Sequence, residues 1–254
     1  MKIYTYYEDI NHPNQEKMLQ LWQTSWSNAG FDPIILTKKD AQNHNFYESF
    51  IEQIKKIHYE IMGGKISSYG LSCYVRWLAY ATMPKERFYV SDYDCINNGL
   101  KTEEPCDKLH LMDGACPCFV SGSSEQFDTL CYNFITISSD RIEDLKKLKE
   151  NSPCYHDQEF FDYNFTKRYN SQANSLIEKN NMLITRDRVN GVGPYETNIV
   201  NTCKVLHISH QNATILKEND NTFKDYSVNE TRIKIMEQII GEPKENLKIN
   251  PRHI

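Results

Sequence analysis

Arg87-Phe88-Tyr89-Val90-Ser91-Asp92-Tyr93-Asp94-Cys95-Ile96-Asn97 is the stretch on which the reading of this chain turns. Phe88, Tyr89 and Val90 are large or β-branched and favour a buried strand. Asn97-Asn98-Gly99 closes the segment with a turn signal. Two carboxylates, Asp92 and Asp94, stand where strand gives way to loop. Residues two apart in an extended chain point to the same side, so both acids can face one point in space. Carboxylate oxygens suit hard divalent cations such as Mg2+ or Mn2+. Unpaired acids at the mouth of a buried strand repel each other, which gives a cation an electrostatic reason to bind. Asp-x-Asp alone is a weak signal, because Asp is a common turn residue. Its context strengthens it: an apolar strand precedes it, a helical segment carrying a lone Arg76 precedes that strand, and a short late strand carries His207.

The bulk numbers narrow the field. A chain of 254 residues can bury a sizeable core. Its 39% hydrophobic and 12% aromatic content is globular rather than disordered. A net charge of −5 argues against nucleic acid as the main partner. The N-terminus lacks the apolar run of a signal sequence, and no stretch approaches the roughly 20 apolar residues of a membrane span. The expectation is a soluble, cytoplasmic protein whose eight cysteines are reduced thiols. Cys116-Pro-Cys118 lacks a second Cys-x-x-Cys, so structural zinc is not expected.

In chain order, residues 2–7 read as a buried strand. Asn14 could cap a helix running to about residue 29, with Leu19, Trp22 and Trp26 on one face. Residues 32–37 hold a second apolar strand. Strand, helix and strand make a βαβ unit, which favours a parallel sheet with a right-handed crossover. No Gly-x-Gly-x-x-Gly follows the first strand, so this is not a standard dinucleotide fingerprint. Residues 38–50 look like loop, 51–62 like an amphipathic helix, and 67–82 like a helix bearing Arg76 and Trp77. After the acidic pair come short strands at 108–112 and 117–121, then helices at 125–133 and 140–151. Pro153 breaks the chain before a helix from His156 or Asp157 to about residue 169. A strand at 182–185, a turn at 190–194, a strand at 202–208 and a helix at 232–240 complete the pattern.

Ligands of open α/β sheets bind outside the carboxyl ends of the strands. If the first strand, the acidic strand and the late strand share one sheet, Thr5, Tyr6, Tyr7, Asp92, Asp94 and His207 would meet at one crevice. His210, three residues on, is a second imidazole candidate. Two Asp and one His form an O,O,N donor set that leaves positions on an octahedral ion for phosphate and water. A lone His on a strand is otherwise a packed core residue, and Asp157 at a helix start is otherwise an N-cap. As a catalytic group, Asp157 must lie within hydrogen-bond reach of the reacting hydroxyl.

With these residues in place, the chain resembles the GT-A-fold glycosyltransferases that carry a DXD motif. Asp92-Tyr93-Asp94 matches the DXD. Arg76 resembles the Arg beside the nucleotide and the first DXD acid. Val205-Leu206-His207 resembles the late-strand metal His, and His156-Asp157-Gln158-Glu159 the acceptor-side acidic motif. Thr5, Tyr6 and Tyr7 match the first-strand end that contacts the base. Branches with the late His often continue His-x-x-Gly-x-x-Lys-Pro-Trp. Here Ile208-Ser209-His210 follows instead, so that either Lys217 supplies the phosphate-binding cation or that role is empty. The resemblance implies an α/β, Rossmann-like mixed sheet flanked by helices in a single domain. It would have a nucleotide-sugar-binding half over about residues 1–100, an acceptor half over about 101–215 and a helical tail over 216–254. It also implies transfer of a hexosyl or pentosyl group from a nucleotide-diphosphate sugar, UDP-sugar before GDP-sugar, to a hydroxyl of a glycan or other acceptor. Mn2+ or Mg2+ on Asp92, Asp94 and His207 would assist, with Asp157 and Gln158 catalytic.

Two rival readings use the same residues. A metal-dependent phosphohydrolase or nucleotidyltransferase usually wants more carboxylates, for two ions about 3.5–4 Å apart. A non-catalytic nucleotide-sugar-binding module would need only the tyrosine-rich surfaces and the polar cleft.

Overall fold

Lys2–Tyr6 (β1), Gln15–Asn28 (α1) and Asp32–Leu36 (β2) form the expected βαβ unit, with β1 and β2 parallel from Lys2–Asp32 to Tyr6–Leu36. This computed structural model describes residues 1–9, 13–149, 152, 154–185, 189–191 and 203–241. Pro153, residues 192–194 of the expected turn, Thr202 and the tail after residue 241 lie outside the described residues. Asn14 does not cap α1 as expected. Its backbone is left-handed at φ 68° and its side chain makes no capping bond.

The segment expected to be loop between residues 38 and 50 is largely helical: Lys38–Gln42 (α2) and then Tyr47–Met62 (α3). Its polar residues hide the pattern, because Thr37 and Asp40 form a capping box at the start of α2. Ser68–Ala81 (α4) is capped by Ser67, whose hydroxyl accepts from the Gly70 N–H at 3.0 Å. Such a cap is worth about 1 kcal/mol. Arg87–Ser91 (β3) follows, then Cys95–Asn97 (β4), Leu109–Asp113 (β5) and Cys116–Ser123 (β6). Ser124–Asp140 (α5), Ile142–Leu148 (α6), Asp157–Phe165 (α7) and Ala173–Lys179 (α8) cover the sheet's second half. Met182–Ile184 (β7), Val189–Gly191 (β8) and Val205–His207 (β9) lead to His210–Asn219 (α9) and Val228–Gly241 (α10). Sequence periodicity overlooked α8 and α9 and shortened α5.

The main sheet has the order β2-β1-β3-β6-β5-β7. It is mixed: β6 runs antiparallel to both neighbours, and the other pairings are parallel. A second sheet has the order β4-β9-β8. The expectation that the acidic strand and the His207 strand share one sheet is therefore corrected. β3 belongs to the large sheet and β9 to the small one, and Asp92-Tyr93-Asp94 is the link that crosses between them.

β3 shows why this link is fixed in place. Phe88 and Val90 face one core, with Tyr4, Trp77, Leu78 and Phe127. Tyr89 points the other way, into a cluster with Ile3, Trp22, Trp26 and Phe119. Period-two alternation thus buries both faces of the strand. The indole of Trp22 donates to Ser91 Oγ at 2.8 Å, and that of Trp26 to the Cys95 carbonyl at 3.0 Å. Two fully buried tryptophans of α1 therefore grip the chain on either side of the acids. Losing either would cost about 3–5 kcal/mol. Among the described residues no helix is long and apolar enough to cross a membrane.

Candidate active site

The link between the sheets is a tight turn. Asp92 N–H donates to the Cys118 carbonyl at 2.8 Å, and Cys95 N–H donates to the Asp92 carbonyl at 3.0 Å. From the far side, Ile208 N–H donates to the Asp94 carbonyl at 2.9 Å, and Cys95 sits opposite His207 in the β4–β9 register. These backbone bonds bring the two acids and the imidazole to one cleft of about 710 Å³. Arg76, Asp157, Gln158, His156, Tyr69 and Tyr6 line it as well.

Arg76 sits at the centre of the charge network. Its Nη1 donates to Asp92 Oδ1, while Nε and Nη2 donate to Asp157 Oδ2 at 3.0 and 2.6 Å. Trp77 Nε1 adds a third donor to the same Asp157 oxygen at 2.8 Å. Asp157 begins α7 and is only 2% exposed. The helix N-terminus suits its charge. Oδ2 is thus occupied as an acceptor, and the carboxylate orients Arg76. Gln158, the next residue, is exposed and faces the cleft.

Asp94 has a partner that the sequence did not reveal. Arg232 of α10 donates from Nη2 to Asp94 Oδ2, from Nε to the Ile208 carbonyl at 2.9 Å, and from Nη1 to Asn229 Oδ1 at 3.3 Å. His207 Nε2 lies 3.6 Å from Asp94 Oδ2. Burial works against the charged form of Asp94, yet His207 and Arg232 outweigh it and hold its carboxyl well below the usual range. Asp92 goes the other way. Burial pushes its carboxyl up to about 6, with Arg76 opposing the shift and Asp94 adding to it. Burial also disfavours the charged imidazole of His207, but Cys118 and Asp94 outweigh it and raise its pKa well above the ordinary value.

Asp94 offers the better foothold for a divalent ion. Its Oδ1 is buried and has no hydrogen-bond partner among the described residues, a costly state for a charged oxygen unless a ligand completes it. Ligand atoms of Asp94, Cys95 and His207 lie within 4.8 Å of one another. Asp92 stands outside that group, its carboxylate turned to Arg76. The first-strand residues divide. Tyr6 reaches the cleft and donates to Glu8 Oε2 at 3.0 Å. Thr5 is fully buried, and Tyr7 makes an edge contact with Tyr93 at 6.4 Å; neither lines the cleft. Lys217 on α9 does not line it either, whereas His210 does.

No family model and no curated protein matches the chain. Among solved structures, the glycosyltransferase GlyE of Streptococcus pneumoniae TIGR4 aligns at 12% identity over 95% of this chain, with a TM-score of 0.42. Its apo form aligns at 13% identity over 96% of this chain, with a TM-score of 0.43. The chain spans 65% and 61% of the chain length in those two structures.

Sequence reasoning missed Arg232 and the groups around Cys116. An Arg inside the apolar stripe of Ile233, Ile235 and Ile239 was the available signal, since a cation in such a stripe needs a buried partner. Asp94 is 138 residues away in sequence, so nothing local pointed to that partner.

Proposed function

We propose that this chain is a glycosyltransferase that takes a sugar from a nucleotide-diphosphate sugar and delivers it to a hydroxyl acceptor. The observation that carries the reading is the convergence on one cleft of Asp92, Asp94 and His207 with two guanidiniums, the partly buried Arg76 and the buried Arg232. Acids and an imidazole suit a divalent cation, and guanidiniums suit phosphate oxygens. A site that offers both fits a metal-complexed diphosphate.

The donor set at Asp94 and His207 fits Mn2+ or Mg2+, with Asp92 one turn of backbone away. A divalent ion there supplies Lewis-acid stabilisation of the charge on the leaving diphosphate. The chain's own groups do the rest. Arg76, pinned by Asp157 and Trp77, presents a fixed guanidinium beside Asp92. Arg232 supplies the second cation, the role the sequence assigned to Lys217. Tyr6 and Tyr93 offer aromatic faces for a base at the end of β1. On the opposite side, exposed Tyr69 meets His156 edge-on at 5.7 Å and, with Gln158, forms a sugar-sized rim for the acceptor. Asp157 acts there as a positioning residue through Arg76. UDP-sugars are the first donors to test and GDP-sugars the second.

The test is a transfer assay read by mass spectrometry, with UDP-, GDP- and dTDP-sugars, Mn2+ and a panel of glycan acceptors. Sugar appearing on an acceptor, lost in Asp94→Asn, supports the reading. Phosphate release from nucleotides without any transferred sugar supports a phosphohydrolase instead.

A further inference from the structure

The β5–β6 hairpin carries three donor groups, Asp113, Cys116 and Cys118, that the sugar-transfer reading does not use. Asp113 and Cys116 face each other in register across a tight turn, where Gly114 adopts φ 60°. Cys118 lies two residues beyond Cys116 on the same strand, so both thiols project from the same face. Its Sγ approaches Asp113 Oδ2 at 3.5 Å. His207, brought in by β9, completes the group. One ligand atom from each of Asp113, Cys116, Cys118 and His207 lies within 4.8 Å of the other three.

We propose that Asp113, Cys116, Cys118 and His207 form a binding site for zinc at the floor of the cleft. Zn2+ is borderline-soft and takes two thiolates, an imidazole and a carboxylate tetrahedrally, whereas the soft thiolates suit Mn2+ or Mg2+ poorly. A tetrahedron with bonds of 2.0–2.3 Å has edges of about 3.3–3.8 Å, so side-chain rotations suffice to close the present cluster. Access is open, because Asp113, Cys116 and His207 all line the cleft while Cys118 is fully buried beneath them. Binding releases the two thiol protons and the imidazolium proton of His207 to solvent, since thiolates and a neutral imidazole are the ligating forms. The zinc rule applied to the sequence sought a second Cys-x-x-Cys. The missing ligands come instead from the preceding strand and from a strand of the other sheet. His207 belongs to both donor groups, so zinc here would tie the hairpin of the large sheet to the central strand of the small one.

The site shares only His207 with the sugar-transfer reading and is tested without it. The untagged protein is stripped with chelator, loaded with Zn2+ or Co2+ and gel-filtered, and its metal content is measured. One retained equivalent of zinc and a near-ultraviolet thiolate-to-cobalt charge-transfer band are expected. Both should vanish in the Cys116→Ser, Cys118→Ser double variant, with circular dichroism confirming its fold, and both should persist in Asp92→Asn. Should the double variant fail to fold, alkylation of the native protein decides, since bound zinc should protect Cys116. Zinc that is not retained, metal retained equally by the folded double variant, or Cys116 alkylated at the same rate with and without zinc would each overturn the proposal.

Discussion

Asp92 is under two opposed demands. It stands beside the proposed cation site, yet burial holds its carboxyl up to about 6, against an unfolded value of about 3.9. Between those values the native state binds more protons than the unfolded one, so unfolding free energy falls as pH rises through the window. The ionised acid is therefore a stability cost at neutral pH. Asp92→Asn removes that cost and keeps an acceptor for Arg76. It should raise Tm at pH 7.5 by about 2–4 °C, the worth of about 1 kcal/mol in a chain of this size. That gain should disappear below about pH 4, where the wild-type acid is protonated both folded and unfolded. The same variant should lose the Mn2+-dependent shift produced by donor. Differential scanning fluorimetry across pH 4–8 checks both. Arg76→Lys should behave in the opposite way. A lysine cannot bridge two carboxylates with a planar fork, and Asp157 would keep only Trp77 of its three donors. A loss of roughly 3–5 kcal/mol is expected, the usual cost of breaking a buried pair, read by urea denaturation. Asp92, Asp94, Arg76 and Asp157 were legible in the sequence because each sits at a strand end, helix face or helix start. Arg232 and Asp113 were not, because their significance depends on partners brought together only by the fold.

Among the elements, α4 decides how the two sides of the cleft meet. Its N-cap at Ser67 and its apolar face were readable from local chemistry. The role of Gly70 was not, because it depends on α7 lying against it. A Cβ at Gly70 would stand 2.6 Å from His156 Nε2 and 3.1 Å from Ile66 Cγ1. Gly70→Ala ordinarily gains about 0.5–1 kcal/mol in a helix. Here the gain is offset by pushing the His156 ring aside, so Tm should hardly change. The effect should fall on function: the donor-induced Tm shift is retained, while the transfer rate falls because the Tyr69–His156 rim is displaced. Unchanged transfer would remove that rim from the acceptor site. α2 was misread as loop because a side-chain capping box, not apolar periodicity, specifies it. The βαβ unit was read correctly because buried Leu19, Trp22 and Trp26, at three- and four-residue spacings, leave no alternative face for α1.

On the scale of the whole molecule, the site exists because two sheets and a late helix converge on one carboxylate. β3 delivers Asp94 from the large sheet, β9 delivers His207 from the small one, and α10 delivers Arg232. The α10 helix is itself held by a cluster of Met18, Ile96, Leu206, Leu216 and Met236, which joins the N-terminal helix to the small sheet. Arg232 therefore links the C-terminal helix to the centre of the cleft through a charge pair, and removing it leaves a buried anion. Arg232→Met keeps the apolar packing and deletes the cation. It should lower Tm by about 6–20 °C, from a cost of about 3–5 kcal/mol at about 2–4 °C per kcal/mol. A divalent cation offers the stranded Asp94 a substitute partner. Ligand binding to the native state stabilises by about 2.7 kcal/mol at a hundredfold excess over Kd. Mn2+ should thus raise the Tm of Arg232→Met by more than it raises that of the wild type, where Arg232 already occupies Asp94 Oδ2. Mg2+ should act in the same direction. Equal Mn2+ shifts in both proteins would show that the ion does not take the Asp94 oxygen that Arg232 holds, and would leave only Oδ1 of that carboxylate for it.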